Sequence, residues 1–186
     1  IKDKSFTAEG WIKSYKKSDT LQFIYGSGSV GYNGWNTSIF RAYLLKGKLT
    51  FRLGSAYGGY ILSTDLPTDS AWHHFAFVHD NTTPSARLFL DGVEQLKTTG
   101  LKWSSIDLGS TTMVEGFGAD LSDGSGTPYS YFKGNLRKMR LSKGVVYKTD
   151  FVPDYKYVKA DSTIAFWELN EGSGTKINCS DTVYNG

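Results

Sequence analysis

Apolar and polar residues alternate over short stretches of this chain, and helical spacing is nearly absent. In residues 48–53, leucine and phenylalanine occupy every second position, with lysine, threonine and arginine between them. A period of two predicts a β-strand with one buried and one solvated face. Its partner is predicted at residues 39–45, because Lys46-Gly47 forms a two-residue connection in which glycine can adopt the positive φ of a tight hairpin.

The same pattern predicts a second hairpin and a central strand. Residues 86–90 and 93–97 flank Asp91-Gly92, a dipeptide that strongly favours a hairpin turn. Residues 72–78 are apolar at both alternating sets of positions, as in a strand that is covered on both faces. Further strands are predicted at residues 6–15, 21–25, 60–63, 112–117, 131–141 and 164–169. About ten strands predict two antiparallel sheets that stack as a β-sandwich, and a short helical turn at residues 142–147 is expected to cap a sheet edge.

Composition and charge narrow the class of protein. With 39% hydrophobic and 15% aromatic residues, the chain can fill one two-sheet core, so residues 1–186 are predicted to form a single domain. Residues 161–186 are expected to be its closing strand and tail, or the start of a following module. The net charge of +3 includes no basic run, which argues against a nucleic-acid partner. The sequence contains no apolar span long enough to predict insertion into a membrane. A single cysteine, Cys179, cannot form an intramolecular disulfide.

Four motifs occur in order along the chain: residues 5–13 (SFTAEGWIK), 72–78 (WHHFAFV), 88–92 (LFLDG) and 132–142 (FKGNLRKMRLS). Together they resemble laminin G-like domains of the concanavalin A-like lectin/glucanase superfamily. Residues 146–153 resemble the variant found in phage tail and structural proteins and in bacterial surface proteins. The resemblance implies an all-β jelly-roll sandwich that binds a ligand at its loops or on a curved sheet. It also implies an extracellular, cell-surface or virion-surface location.

Two features depart from the family pattern. Arg137-Lys138 stand in the late strand where many relatives place an aspartate, so a calcium ion there would meet like charge. Residues 164–175 (IAFWELNEGSGT) resemble a segment that opens many relatives, yet here they come last. The sequence leaves open whether they close this sandwich or begin a second module.

Catalytic and metal-binding patterns are weak. Glu168 and Glu171 are three residues apart and therefore point to opposite sides of a strand, unlike the paired carboxylates of sandwich glucanases. His73 and His74 face opposite ways for the same reason, and His79 lies too far along the strand to share a metal ion with His73. The chain is therefore predicted not to be an enzyme.

A calcium site at Asp120 and Asp123 is the alternative to the prediction that the chain binds no cofactor. They lie in a loop rich in serine and threonine, and calcium prefers carboxylate and hydroxyl oxygens as ligands. The spacing fits no EF-hand loop, however, and aspartate is common in polar turns for structural reasons. We therefore expect no cofactor, with calcium at these two aspartates as the weaker hypothesis.

Three loops combine aromatic residues with glycine, serine and asparagine, which suits ligand recognition. Aromatic rings stack on the C–H faces of sugars, while polar side chains bond the hydroxyl groups. The expected ligand is a glycan or cell-surface polysaccharide, with Trp35 as the main anchor. The predicted ligand-binding residues are Tyr32, Asn33, Trp35, Tyr57, Tyr60, Tyr129 and Tyr131. The alternative is that these rings pack over the ends of the sandwich.

Three functions compete. The first is a carbohydrate-binding adhesion or receptor-recognition module of a larger surface or virion protein. The second is an assembly domain of a phage tail, capsid or surface layer that contacts neighbouring protein subunits, because tyrosine and tryptophan are also enriched at protein interfaces. The third, a glycoside hydrolase, requires distant carboxylates such as Glu9, Glu94 or Glu115 to converge in one cleft.

Overall fold

The structure is a computed structural model that describes residues 5–15, 19–29, 37–55, 58–100, 113–120, 129–156, 160–172 and 177–179. These ranges contain eleven β-strands in two antiparallel sheets and no helix, so none of them holds a helix that could cross a membrane. The strands are β1 (Phe6–Ser14), β2 (Gln22–Ser29), β3 (Thr37–Leu45), β4 (Lys48–Ser55), β5 (Gly58–Asp65), β6 (His73–Asp80), β7 (Ser85–Leu90), β8 (Val93–Thr99), β9 (Met113–Phe117), β10 (Gly134–Lys143) and β11 (Thr163–Trp167). The predicted all-β architecture of two antiparallel sheets is confirmed.

One sheet has five strands in the order β5-β4-β3-β2-β9. Its strands β3 and β4 form the predicted hairpin, in which Lys46 and Gly47 have φ values of 52° and 77°. Two successive residues in the left-handed region give the turn whose twist matches that of the flanking strands. The hairpin fixes the register, with Phe40 opposite Leu53 and Leu45 opposite Lys48.

The apolar half of the alternation forms the buried face of this sheet. Phe40 and Phe51 lie on neighbouring strands with ring centroids 5.9 Å apart, and both are almost completely buried. The other buried side chains of this face are Tyr25, Ala42, Leu44, Leu49, Leu53 and Leu62. Because a one-residue slip would turn all of them to the opposite face, burial and turn together specify one register.

The other sheet has six strands in the order β11-β10-β1-β6-β7-β8. Strand β6 lies between β1 and β7, and all eight of its residues are buried, which confirms the predicted central strand. Asp91 and Gly92 form the predicted turn between β7 and β8, with φ values of 50° and 79°. Gly92 is also packed closely, since a Cβ atom there would overlap the carbonyl oxygen of Phe151.

Residues 144–156, here called the covering segment, lie on one face of the six-stranded sheet. The expected helical turn at residues 142–147 is wrong, because Ser142 belongs to β10 and the following residues form bends without a helix. The apolar side chains of the segment pack against the buried side chains Ala76, Val78 and Phe89; they are Val145, Tyr147 and Phe151. A sheet that is apolar on both faces needs cover on both, so the segment covers a face rather than capping an edge.

The bounds of several strands differ from the prediction, those of β10 and β11 among them. Strand β10 begins at Gly134, because residues 131–133 bond elsewhere: the amide of Phe132 donates to Gly118 and that of Lys133 to the side chain of Gln22. Strand β11 ends at Trp167 and pairs with β10 at the edge of the six-stranded sheet. The segment that resembles a family opening therefore supplies an edge strand here.

Candidate functional site

The polar half of the β3–β4–β5 alternation forms a continuous surface on the five-stranded sheet, here called the polar face. Arg41 lies directly opposite Arg52, and Arg52 lies opposite Ile61 on the next strand. Residues opposite each other in an antiparallel pair project to the same side, so these side chains are neighbours. The members of the polar face are Arg41, Tyr43, Leu45, Lys48, Thr50, Arg52, Ile61, Ser63 and Asp65.

Arg41 is oriented by a buried carboxylate. Its Nη1 atom lies 3.5 Å from Oδ2 of Asp120, whose residue is only 3% exposed. Asp120 is held in turn by two backbone hydrogen bonds to Tyr129, of 2.8 and 3.0 Å. A cation paired with a fixed, buried carboxylate loses much of its conformational freedom before any ligand arrives.

Tyr43 lies near both arginines. Partial burial raises the pKa of its phenol, although the charges of Arg52 and Arg41 act in the opposite direction. The hydroxyl is therefore protonated at neutral pH, and a neutral phenol can both donate and accept a hydrogen bond. The polar face thus holds two guanidinium groups, which donate hydrogen bonds, and a tyrosine hydroxyl, which can donate or accept one.

The side of the polar face nearest the sheet edge carries one exposed apolar side chain among polar and charged ones. Thr50 and Ser63 share a hydrogen bond of 3.1 Å between their hydroxyls, and Lys48 donates to Asp65 over 3.0 Å. Ile61 is 57% exposed on the edge strand β5. An exposed apolar side chain beside hydroxyls and charges offers contact to a ligand that has both apolar and polar faces.

The other side of the polar face is bounded by β2 and the segment 129–133. Phe23 lies opposite Tyr43, is buried, and covers Gly26 so closely that a Cβ atom on Gly26 would overlap the Phe23 ring. The backbone amide of Phe23 donates to the carbonyl of Ser130 over 2.7 Å, which ties residues 129–133 to β2. Glycine at position 26 is required by this ring, and the ring fixes the inner wall of the surface.

The structure places only part of the predicted ligand-binding set. Tyr129 and Tyr131 are 37% and 59% exposed on the segment that is tied to β2. Tyr60 lies in β5 opposite Leu53. The remaining predicted residues, Tyr32, Asn33, Trp35 and Tyr57, lie outside the described residues. The described residues therefore do not bring the predicted set together, and its role in ligand binding stays a prediction.

The calcium hypothesis is also untested. Asp120 faces the guanidinium of Arg41, a partner that would compete with a cation for the same carboxylate. Asp123 lies outside the described residues. Within the described residues, no three histidine, cysteine, aspartate or glutamate side chains are close enough together to hold a metal ion.

Buried charges in the six-stranded sheet form a structural network under the covering segment. Glu9 is completely buried and accepts hydrogen bonds from Arg140, at 2.8 and 2.6 Å, and from the hydroxyl of Tyr147, at 2.7 Å. His74 lies 3.1 Å from the same carboxylate. Burial alone would raise the pKa of Glu9, but the hydrogen bonds and the charge of Arg140 outweigh it and hold that pKa below its usual value. The network joins three strands to the covering segment.

The histidines and the other carboxylates have separate partners. His73 pairs with Asp91 over 2.7 Å, so the two adjacent histidines face opposite sides as predicted. Glu94 pairs with Arg87 over 3.2 Å, and Glu168 pairs with Lys138 over 3.3 Å. None of these contacts joins two carboxylates in one cleft.

Arg137 belongs to a cluster of cations and aromatic rings. Its guanidinium carbon lies 3.7 Å from the centre of the Trp72 ring and 4.3 Å from that of Tyr155. Tyr155 also meets Trp11 edge-on, with ring centroids 5.5 Å apart. Stacking of this kind holds the end of the covering segment to the six-stranded sheet.

A laminin G family model, described as the concanavalin A-like lectin/glucanases superfamily, matches residues 1–150. The chain belongs to this superfamily. The resemblance inferred from the four motifs is thereby confirmed, and the two sheets are those of the superfamily's jelly-roll β-sandwich. No curated protein matches the chain.

Solved structures share this superfamily fold at low sequence identity. A candidate carbohydrate binding protein from Bacteroides ovatus is 15% identical with a TM-score of 0.70; the match covers 97% of this chain and 50% of that protein, so this chain spans half of its length. The CBM40 of Ruminococcus gnavus IT-sialidase, bound to α2,3 sialyllactose, is 16% identical with a TM-score of 0.64, covering 78% of this chain and 79% of that one. A mutant of NanB sialidase from Streptococcus pneumoniae is 18% identical with a TM-score of 0.64, covering 79% and 23%. At sequence identities of 15–18%, the structural similarity shows a shared fold and nothing further.

The sequence reasoning missed Arg41, Tyr43 and Arg52. It assigned position 52 to the solvated face of a half-buried strand and looked for ligand contacts in loops instead. The missed signal was the hairpin turn at 46–47, which sets positions 41 and 52 opposite each other and so predicts two neighbouring cations.

Proposed function

We propose that this chain is a non-catalytic carbohydrate-binding module that holds a glycan on the polar face of its five-stranded sheet. The observation that carries the proposal is the polar face itself: two opposed arginines, a tyrosine and an exposed isoleucine on adjacent strands of a lectin-like fold. A sheet surface that combines hydrogen-bond donors with apolar contact matches the amphipathic character of sugar rings.

The chemistry of the polar face supports sugar recognition. Sugar hydroxyls both donate and accept hydrogen bonds, as does the protonated Tyr43 hydroxyl. Guanidinium groups supply several donors in a rigid plane, and Ile61 can contact a C–H face of the ring. These side chains stand on strands, which hold a site more rigidly than loops do.

Likeness of fold supports the same proposal. The similar solved structures include a protein described as carbohydrate binding and one crystallised with sialyllactose. We carry this ligand class to the chain as a proposal because the polar face gives it a surface of fitting chemistry.

Binding without cleavage is supported by the engagement of the carboxylates. Glu9 is buried in its network with Arg140, and Glu94 is paired with Arg87. A retaining or inverting glycosidase needs two carboxyl groups about 5–10 Å apart across the scissile bond. A reducing-sugar assay over a panel of polysaccharides should therefore detect no release of ends.

We place the module outside the cell, on a cell surface or on a virion, as part of a larger protein. The family resemblance of residues 146–153 to phage and bacterial surface proteins supports this setting. Decoration of whole bacterial cells by the fluorescently labelled chain, competed by free glycan, tests it.

Glycan binding is tested on an array of neutral and acidic glycans, followed by calorimetry on the hits. The variant Tyr43→Phe removes one hydroxyl and keeps the ring, so affinity should fall about fivefold to tenfold. Tyr15→Phe is the matched control, because Tyr15 follows β1 of the other sheet and is exposed. An array without any bound glycan, or equal affinity losses in the two variants, would refute the proposal.

A further inference from the structure

We infer that the chain carries a second recognition surface, which binds an aspartate or glutamate side chain of a partner protein. This surface is a cluster of aromatic rings around one guanidinium on the six-stranded sheet, here called the Arg137 cluster. Its members are Trp11, Trp72, Arg137 and Tyr155. The inference goes beyond the proposed function, because it concerns the other sheet and a protein instead of a glycan.

Arg137 lacks a counter-ion among the described residues. Arg87 and Arg140, the other arginines of the six-stranded sheet, lie 3.2 and 2.6 Å from a carboxylate oxygen. In the described part of the chain, Arg137 contacts only aromatic rings, those of Trp72 and Tyr155, at 3.7 and 4.3 Å from their centres. A cation that rings shield from water is stabilised when an anion pairs with it. A partner that docks at this arginine is therefore expected to bring an anionic group.

The Arg137 cluster also has more hydrogen-bond donors than acceptors. Nε of Arg137 and Nε1 of Trp11 are buried and meet no acceptor among the described residues. The terminal nitrogens of Arg137 meet none there either, and they are not buried, so they reach the surface. An ionised carboxylate has two acceptor oxygens and no donor, which matches a surface of this kind. The shortage of acceptors thus favours a carboxylate over a neutral polar group.

The rings of the cluster are already engaged with cations. Arg137 lies over the rings of both Trp72 and Tyr155, and Nζ of Lys138 lies 5.0 Å from the centre of the Tyr155 ring. A sugar would need these ring faces for its C–H groups. The N–H donors of a guanidinium lie in its own plane, so contact with ring faces leaves them directed at the surface. The geometry therefore favours a carboxylate that meets the edge of the guanidinium over a sugar that stacks on the rings.

The composition of the cluster is that of a protein-binding surface. Tryptophan, tyrosine and arginine are the residues that contribute most to affinity at protein interfaces. Tyr155 is 42% exposed, and Trp72 and Arg137 are partly exposed. Because two rings hold the guanidinium in place, it has less conformational freedom to lose when a partner binds. A partner protein with an exposed aspartate or glutamate fits this surface.

The experiment selects peptides on the whole chain and then measures the chosen ones. Random peptides displayed on phage are selected on the immobilised chain, and the enriched sequences should share an aspartate or glutamate at one position. The strongest of them is synthesised together with its analogue in which that acid is the matching amide. Calorimetry should find the acidic peptide bound at least about tenfold more tightly. In nuclear magnetic resonance spectra, the acidic peptide should shift the indole N–H signals of Trp11 and Trp72.

Variants assign the peptide carboxylate to Arg137. Arg137→Gln should reduce the affinity for the acidic peptide about tenfold and leave that for the amide analogue unchanged. Arg137→Lys keeps the charge between the rings but lacks the planar fork, so it should also weaken binding, and it decides the matter if Arg137→Gln fails to fold. Lys143→Gln is the matched control, because Lys143 is exposed on the same strand. It lies six residues and roughly 20 Å from Arg137, beyond the screening length of about 10 Å, so affinity should change less than about twofold.

Four results would overturn the inference and leave glycan binding by the polar face untouched. The first is a selection that enriches no acidic residue, and the second is equal affinity for the acidic peptide and its amide analogue. The third is an equal effect of Arg137→Gln and Lys143→Gln, since the loss would then be one of general charge. The fourth is a glycan array on which Arg137→Gln loses acidic glycans that the wild type binds, because the cluster would then recognise a sugar.

Discussion

Replacing Arg140 by methionine tests the buried charge network most directly. The substitution removes the two hydrogen bonds that Arg140 donates to Glu9 and leaves a carboxylate that is 0% exposed with His74 and Tyr147 alone. Breaking a buried ion pair by removing one partner costs about 3–5 kcal/mol. In a domain of this size 1 kcal/mol lowers the melting temperature by about 2–4 °C, so we expect Arg140→Met to melt about 6–20 °C below the wild type.

The assay is urea and thermal unfolding, followed by far-ultraviolet circular dichroism and tryptophan fluorescence. Arg87→Met is the matched control, because Arg87 pairs with Glu94, whose side chain is 31% exposed. That pair should contribute less than about 1 kcal/mol. The double variant Glu9→Gln/Arg140→Met removes both charges and should recover part of the lost stability. With Glu9→Gln alone as the fourth protein of the cycle, it measures the coupling between the two residues.

The pH dependence gives a second readout of the same network. The lowered pKa of Glu9 in the folded state stabilises the wild type above the pKa of the unfolded chain, and this contribution is lost as pH falls through the folded value. Without Arg140 the pKa of Glu9 should rise, so the difference in unfolding free energy between variant and wild type should shrink below about pH 4.5. A midpoint shift for Arg140→Met as small as that for Arg87→Met would show that Glu9 is not held as a buried anion.

Three further outcomes follow from the same structure. Tyr147→Phe should cost about 1–3 kcal/mol, measured by urea unfolding, because it removes a hydroxyl donor to a buried carboxylate; a loss equal to that of an exposed Tyr→Phe change contradicts it. Burial lowers the pKa of His79 to about 4, so the unfolded chain binds the extra proton first, and the unfolding free energy should fall by up to about 3 kcal/mol as pH drops from 6.5 to 4; His79→Gln should flatten this slope. Gly92→Ala should destabilise more than Gly100→Ala, because both glycines have positive φ but only a Cβ at position 92 would overlap a carbonyl oxygen, that of Phe151; equal midpoint shifts would mean that the covering segment does not pack on the turn.

The fold was predictable where the decisive interactions are local. The turns at 46–47 and 91–92 are set by glycine at a position of positive φ, and they fix the strands on either side. The central strand β6 was predictable because residues 72–78 are all apolar or weakly polar, which indicates burial on both faces. In these cases neighbouring residues carry all the necessary information.

The covering segment was not predictable because its partners are distant in sequence. Tyr147 meets Glu9, and Phe151 meets the turn at Gly92. Locally the segment is a short run of valine, tyrosine and polar residues, which is compatible with a helical turn. These two contacts, together with the burial of apolar side chains against the six-stranded sheet, select the observed path.

The candidate site was half predictable. The alternation in residues 48–53 gave the polar side of β4, and the hairpin turn gave the register that brings Arg41 opposite Arg52. The pairing of Asp120 with Arg41 was beyond the sequence, because it joins β3 to a loop that follows β9. Because the polar positions of β4 were interpreted as solvent-facing only, the polar face was not predicted as a candidate binding surface.

The alternation on β3 and β4 has an evolutionary consequence. Positions 40, 42 and 44 of β3 and positions 49, 51 and 53 of β4 carry buried apolar side chains, while the arginines and the tyrosine stand at positions 41, 43 and 52 between them. Selection on folding and selection on the exposed chemistry of this sheet therefore act on interleaved but separate sets of codons. Substitutions at the outward positions can change that chemistry while they leave the buried side chains, and with them most of the folding free energy, as they are.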